Sequence, residues 1–287
     1  MAPIIRLFLI FLVFLINPWA QAEVSIQMSP LYIGSFPKVA FYATIRLKDL
    51  STHSPQKSDF LLYEDEQEIL DFSLTLQKEP AEVAIILDAS GSVKSFTQLI
   101  RNGAQRFVDQ LLPGDKASII TFNNRVKLIQ PMTADREELS RAIQGIQVYG
   151  GTRLYDGIHR GLKSLKEGRR FAVLFTDGQD MKYPTDTKRF SRRSLEEAIQ
   201  LARKNNIPVF GIGVGDSIDS KVLNTLCSSS GGKFFESPEP GAIPAIYEEI
   251  SSWIRNRYLV AYNSPKDQNH SEWRTVQMKE KNTSIED

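Results

Sequence analysis

Three short stretches of the 287-residue chain place oxygen ligands where an ion could use them: Asp88-Ala89-Ser90-Gly91-Ser92, Gly150-Gly151-Thr152 and Thr176-Asp177-Gly178. The first and third directly follow continuous apolar runs, Val83 to Leu87 and Phe171 to Phe175, and the second precedes a helical pattern that begins at Leu154 and Tyr155. Asp88, Ser90, Ser92, Thr152 and Asp177 supply carboxylates and hydroxyls, with no His or Cys among them. Such a hard, all-oxygen set suits Mg2+ or Mn2+ and is poorly matched to zinc or copper. Magnesium takes about six oxygens at roughly 2.0 to 2.1 Å and gives up its waters reluctantly, so this set leaves at least one position for water or a visiting ligand. The two Asp carboxylates balance a divalent charge, so a third carboxylate can be accepted from outside. Ordinary helix N-capping would explain the Ser and Thr hydroxyls without any metal. It would leave both strand-end carboxylates without a cationic partner.

The elements that must hold these residues are read from periodicity. From Glu82 to about Arg257, short apolar runs alternate with helical patterns, as in a doubly wound α/β domain with a mostly parallel sheet. Phe96, Leu99, Ile100, Gly103, Phe107 and Leu111 recur at intervals of three and four and form one helix stripe. Ser194 with Glu197, and Asp135 with Glu138, carry the spacing of a capping box. Further strands are expected at Ala117 to Phe122 and Val209 to Gly213, and a closing helix turns Ile243, Ile246, Ile250 and Trp253 inward. In open α/β sheets, ligands bind beyond the carboxyl ends of the strands, where the three oxygen-bearing loops fall.

The flanks have a different texture. Val24 to about Leu76 carries short alternating segments such as Val39 to Ile45 and Phe60 to Tyr63, and strand-like text returns at Tyr258 to Tyr262 and Trp273 to Met278. Two strands are too few to fold alone, so the C-terminal pair is expected to join the N-terminal strands in a small β-sandwich with the α/β domain inserted into it. The expected boundaries are a signal peptide over residues 1–22, the first part of the sandwich over 23–80, the α/β domain over 81–257, and the rest of the sandwich and a tail over 258–287. Arg6, the apolar run Leu7 to Ile16 and the small-x-small triplet Ala20-Gln21-Ala22 carry the pattern of a secretory leader. That run is too short to span a bilayer comfortably, and no other segment reads as membrane-spanning. The expectation is a protein exported to the periplasm or secreted, without a stable membrane span after cleavage.

Composition narrows the function classes. Lys+Arg 35 against Asp+Glu 34 gives a net charge of +1, which lacks the basic excess of a dedicated nucleic-acid binder. One cysteine, Cys227, excludes an intrachain disulfide framework, a CxxC redox pair and a cysteine-rich zinc site; beside Leu223 and Leu226 it reads as a small core residue.

The spaced trio Asp88, Ser90 and Ser92, the later Gly-Gly-Thr ending at Thr152, and the strand-end Asp177-Gly178 together resemble the von Willebrand factor A domain with its metal-ion-dependent adhesion site. The resemblance covers about 175 residues, from near Glu82 to near Arg257, a normal size for one domain. It implies that Ser90, Ser92 and Thr152 give hydroxyl ligands to Mg2+ or Mn2+, that Asp88 and Asp177 bind directly or through water, and that a partner protein offers an Asp or Glu to the metal. Ser58 to Asp65 and Arg257 to Tyr262 are similar to the segments flanking the A domain in exported bacterial proteins of the acidobacterial-type group. Relatives of that group commonly add another strand where this chain stops, at Asp287 soon after the Trp273 segment.

Competing readings stand beside this one. A hydrolase using the same metal would need a nucleophile and a base; Ser90 lies on a strand-to-helix turn, but G-x-S-x-G is absent. The histidines, His53, His159 and His270, fall in loops outside the α/β region or on a helix. No lysine or arginine clamp and no phosphate-cradling loop accompanies the carboxylates. Gly211-Ile212-Gly213-Val214-Gly215 lacks dinucleotide-loop spacing and reads as a tight turn ending a core strand. Lys182, Lys188, Arg189, Arg192 and Arg193 concentrate positive charge after Asp177, either as a solvated loop or as a rim that steers an acidic partner. A structural domain with an empty site is the remaining alternative.

Overall fold

The computed structural model describes residues 24–28, 32–47, 55–183, 188–215, 217–236, 243–266 and 275–281. The expected leader, residues 1–22, lies outside the described residues, as do His53, His270 and Trp273. The chain divides into two units, one made of the residues up to Gln77 together with those from Asn256 onward, the other of Lys78–Arg255.

The discontinuous unit is all-β. It contains β1 (Val24–Met28), β2 (Tyr32–Ser35), β3 (Lys38–Leu47), β4 (Phe60–Glu64), β5 (Gln67–Glu68) and β6 (Phe72–Leu76). After the inserted unit, β13 (Arg257–Asn263) and β14 (Val276–Glu280) return to it. Strand β13 lies between β3 and β6, antiparallel to both, while β14 pairs with β4. Register explains the pairing. Val39, Phe41 and Ala43 of β3 sit opposite Tyr262, Val260 and Tyr258 of β13, and all six side chains are buried. Because side chains alternate across a strand, that register puts these six side chains on one face and leaves Tyr42, Leu259 and Ala261, each only half-buried, on the other. Phe60, Leu62, Val276 and Met278 of the second sheet complete this core. The C-terminal strands thus join the N-terminal ones, as the short apolar segments require.

The Lys78–Arg255 unit contains β7 (Ala81–Asp88), α1 (Thr97–Asp109), β8 (Lys116–Phe122), β9 (Val126–Thr133), α2 (Arg136–Gln144), α3 (Leu154–Ser164), β10 (Arg169–Thr176), α4 (Leu195–Lys204), β11 (Val209–Gly213), α5 (Ser220–Ser230), β12 (Phe234–Phe235) and α6 (Ile243–Arg255). The sheet order is β12-β11-β10-β7-β8-β9, parallel throughout except for the β8–β9 pair. Alternate residues of the central strands feed opposite cores. Val83, Ile85, Leu87, Phe171, Val173 and Phe175 pack with α1, α2 and α6, whereas Ala84, Ile86, Ala172 and Leu174 pack with α3, α4 and α5. Burial on both faces is why these strands read as unbroken apolar runs. No described helix is long and apolar enough to cross a membrane.

Several local expectations are revised. Strand β9 is a half-exposed antiparallel edge containing Pro131, a residue tolerated at an edge, and it lacks the alternation that would have marked it. Asp135 caps α2 by accepting from the Glu137 and Glu138 N–H groups, but the Glu138 carboxylate accepts from Gln130 Nε2 at 3.1 Å, so only half of a capping box forms. At α4 the box is complete. Gly211 and Gly213 lie within β11, whose bounds are those expected from Val209 to Gly213, so a turn can involve only Val214 and Gly215 beyond its end. A Cβ on Gly211 would meet Cys227 Sγ at 2.9 Å, so glycine there lets α5 approach the sheet. Ile246, Ile250 and Trp253 turn inward on α6 as expected, while the Ile243 side chain lies outside the described residues.

Candidate metal centre

The sheet order creates the crevice. The chain runs from β7 outward to β8 and β9, then crosses back to β10 on the other side of β7, so the order reverses between β7 and β10. Loops leaving two parallel strands on opposite faces part at such a point, and ligands bind there in open α/β sheets. Leu87 of β7 pairs with Phe175 of β10, so Asp88 and Thr176 come next on neighbouring strands, with Asp177 following. Both sequence-expected carboxylates therefore stand at the switch point.

Hydrogen bonds join four of the five expected residues into one cluster. Asp88 accepts from the Ser90 N–H at 2.9 Å and, through its other oxygen, from Thr176 Oγ1 at 2.7 Å. Ser90 Oγ lies 3.0 Å from Ser92 Oγ, and the Ser92 side chain hydrogen-bonds Asp177. Asp177 also accepts from the Gln179 N–H at 3.0 Å. Asp88, Ser90 and Asp177 are buried, whereas Ser92 is exposed. Neither serine hydroxyl is consumed as a helix cap: Ser90 precedes the 3-10 turn Gly91–Phe96 without a side-chain capping bond.

Thr152, also buried, is brought in by its backbone. Gly91 N–H donates to Gly150 O at 2.8 Å and Tyr149 N–H to Ala89 O at 2.9 Å, which fasten the second loop to the first. Three successive N–H groups are then taken by other segments. Gly151 donates to Asn124 Oδ1 at 2.8 Å, Thr152 to Met181 O at 2.7 Å and Arg153 to Asn123 O at 3.2 Å. A Cβ on Gly151 would sit 2.7 Å from Lys182 O, so only glycine fits this crossing.

The electrostatics test whether a cation fits. Burial, followed by the neighbouring Asp177 charge, pushes the Asp88 carboxyl up to about 7 against the opposing hydrogen bonds from Ser90 and Thr176. Burial likewise raises Asp177, against its hydrogen bonds from Ser92 and Gln179. No ion pair among the described residues involves either acid. Two buried carboxylates without a protein cation are an unfavourable arrangement that a divalent ion would relieve. Among the described residues no three His, Cys, Asp or Glu cluster as a ligand set, so the hydroxyls must contribute to any ion held here. The donor chemistry and the charge deficit both fit a divalent cation.

The basic loop is only partly available. Lys188 and Arg189 are exposed, and Lys182 Nζ lies 5.1 Å from the Tyr183 ring centroid. Arg193 pairs with Glu197 at 2.9 Å, while the Arg192 and Arg193 N–H groups donate to Asp156. Tyr149 and Tyr183, at 47% and 57% exposure, stand on the two segments that meet at Thr152. His159 on α3 is held below its usual pKa by burial and then by Arg193 and Lys163. Cys227 is fully buried and its thiol is pushed up to about 12 by desolvation, which makes it a packing residue. Sequence reasoning named Thr176 within the third stretch without giving it a role, and missed Asn124 and Asp180. Thr176 and Asn124 lie at strand ends beside recognised features, and Asp180 lies just beyond Asp177-Gly178, so position relative to the expected strands was the available signal.

Comparison with known proteins places these features in context. The von Willebrand factor type A domain family matches residues 82–249. An uncharacterised protein of Synechocystis sp. is 25% identical over 65% of this chain and 46% of its own length. Inter-alpha-trypsin inhibitor heavy chain H3 of Mesocricetus auratus is 22% identical over 64% of this chain and 22% of its own. The chain thus spans about half or less of these relatives. Among solved structures, a von Willebrand factor type A protein from Catenulispora acidiphila superposes with a TM-score of 0.52 at 16% identity, covering 80% of this chain and 49% of that one. Proximal thread matrix protein 1 from the mussel byssus, with a zinc-occupied MIDAS motif, gives 0.54 at 20% identity, covering 67% and 49%.

Proposed function

Because the chain belongs to the von Willebrand factor type A domain family, we propose that its α/β unit is a protein-binding module, for adhesion or assembly, that recognises its partner through a divalent cation. Ser90, Ser92 and Thr152 would hold the ion through their hydroxyls, with Asp88 and Asp177 binding directly or through water. The observation that carries this reading is the buried, cation-free Asp88 and Asp177 pair, joined by hydrogen bonds to Ser90 and Ser92 at the switch point. A bound divalent ion supplies a positive, oxygen-seeking coordination position at the mouth of the crevice.

The two site carboxylates only neutralise such an ion, so its open position suits an Asp or Glu from another protein. Exposed Lys188 and Arg189 favour the approach of an acidic surface. Tyr149 and Tyr183 offer the aromatic area that protein interfaces favour. The proposed ion is Mg2+ or Mn2+; the MIDAS motif of the mussel protein is zinc-occupied, which makes Zn2+ the comparison ion in the test. The leader-like residues 1–22 support export to the periplasm or outside the cell. No hydrolytic activity is proposed: the only described histidine, His159, lies on α3 with Arg193 and Lys163 among its charged neighbours, and Asp88, the acid that meets Ser90, is assigned to the ion.

Calorimetric titration of the full chain with Mg2+, Mn2+ and Zn2+ tests the site, with Asp88→Ala as control. Saturable binding lost in the variant supports it. Absence of binding in the wild type would reduce the domain to a structural role. Capture of a partner in Mg2+ and its release by chelator tests the rest.

A further inference from the structure

Thr152 is the one expected ligand that no side-chain hydrogen bond ties to the others; its hydroxyl is aimed only by its backbone. That backbone is held by the Met181 carbonyl, and the described residues on either side of Met181 meet at one carboxylate. Asp180 accepts from the Phe190 N–H at 2.6 Å and the Ser191 N–H at 2.7 Å through one oxygen, and from the Tyr155 N–H at 3.2 Å through the other. The first two bonds tie Phe190 and Ser191 to Asp180. The third reaches the first turn of α3, whose own N-cap, Arg153, provides no side-chain acceptor. Ser191 Oγ accepts the next N–H of that turn, from Asp156, at 3.1 Å. Helix α3 therefore has two of its first-turn donors satisfied by another segment, in place of a side-chain cap from Arg153.

Met181, the next residue after Asp180, gives the carbonyl that takes the Thr152 N–H at 2.7 Å. Asp180 thus fixes both sides of Thr152: the carbonyl that holds its amide, and the helix that begins two residues later. We propose that Asp180 is a positioning residue for Thr152, setting the aim of its hydroxyl at the metal site without itself touching the ion. The inference rests on the metal-binding reading and adds to it a residue that lies outside the ligand motif. Outer-shell groups of this kind typically change metal affinity by about 10- to 100-fold when altered.

The experiment uses the full chain and Mn2+ as probe. Wild type, Asp180→Asn, Ser191→Ala and Asp135→Asn are compared by calorimetry and by amide hydrogen exchange of the metal-free protein. Asp135 is the control because it too accepts backbone N–H groups at a helix start, but at α2. Asp180→Asn is expected to weaken Mn2+ binding about tenfold or more and to speed exchange at Thr152 and Tyr155. Ser191→Ala should move both readouts the same way by less, and it decides the matter if Asp180→Asn does not fold. Asp135→Asn should lower the melting temperature and leave both readouts unchanged. Wild-type Mn2+ affinity together with wild-type Thr152 exchange in Asp180→Asn would overturn the proposal. If the wild type itself binds no Mn2+, the metal-binding reading fails, and Thr152 exchange alone still decides whether Asp180 sets that segment.

Discussion

Thr176 Oγ1 donates to Asp88 across neighbouring parallel strands at 2.7 Å and accepts the Gly178 N–H at 3.1 Å. This hydroxyl links the two halves of the switch point and favours the charged form of Asp88. Replacing it with Val removes a donor to a buried carboxylate at nearly constant volume. A hydrogen bond to a charged group contributes about 1.5 to 3 kcal/mol, so Asp88 should hold its proton to a higher pH. Thr176→Val should weaken Mg2+ binding at pH 7 by about tenfold or more and move the pH midpoint of binding upward. An unchanged midpoint in calorimetry across pH would show that Thr176 does not tune Asp88.

The raised pKa also governs the metal-free protein. Folded Asp88 keeps its proton up to about pH 7, whereas its ordinary value is 3.8. Between these values the folded state binds more protons than the unfolded one, so stability from this group is present below about pH 4 and lost as pH rises toward about 7. Each unit of that separation corresponds to about 1.4 kcal/mol. Asp88→Asn should flatten the loss in chelator, which urea denaturation at pH 5 and pH 8 would measure. Saturating metal should reverse the trend, because the ion requires the deprotonated acid. At 100 times its dissociation constant it should add about 2.7 kcal/mol to the wild type.

Partner binding should separate into metal, charge and aromatic contributions. Neutralising Lys188 and Arg189 is expected to slow association and flatten its salt dependence while leaving dissociation nearly unchanged. Thr152→Ala should weaken the complex through the metal. A partner that binds equally well in chelator would remove the metal from recognition altogether.

Tyr149→Ser and Tyr183→Ser should each weaken the same complex, by about 1 kcal/mol or more if the ring is a central contact, without altering Mg2+ affinity. Surface plasmon resonance beside calorimetry tests this. Loss of metal binding in either variant would mean that the ring supports the site rather than the partner.

Removing everything after Arg255 deletes β13 from between β3 and β6 and β14 from the edge of β4. The remaining N-terminal strands should expose their apolar face and unpaired edges and aggregate. Residues 78–255, produced alone, should stay folded, since both of their cores lie within that span. Light scattering and circular dichroism of the two truncations check this. A monomeric, protected N-terminal part would show β13 and β14 to be dispensable.

Sequence alone determined the α/β architecture, because strands buried on both faces must be continuously apolar and the helices over them must carry stripes at three and four. Val83 to Leu87 and Phe171 to Phe175 could hardly be anything else in that setting. It also determined the identity of Asp88, Ser90, Ser92, Thr152 and Asp177 as a candidate set, since their loops directly follow or precede such elements. Tertiary structure alone decided what those residues meet. The reversal of strand order between β7 and β10, the Thr176 bond to Asp88 and the Asp180 bond to Tyr155 all join segments distant in sequence. A local pattern carries no record of them, because a hydroxyl or carboxylate that bonds across strands has the same spacing as one left in water. Strand β9 was hidden for a related reason: an edge strand owes its pairing to its neighbour, and neither burial nor alternation is forced on its own residues.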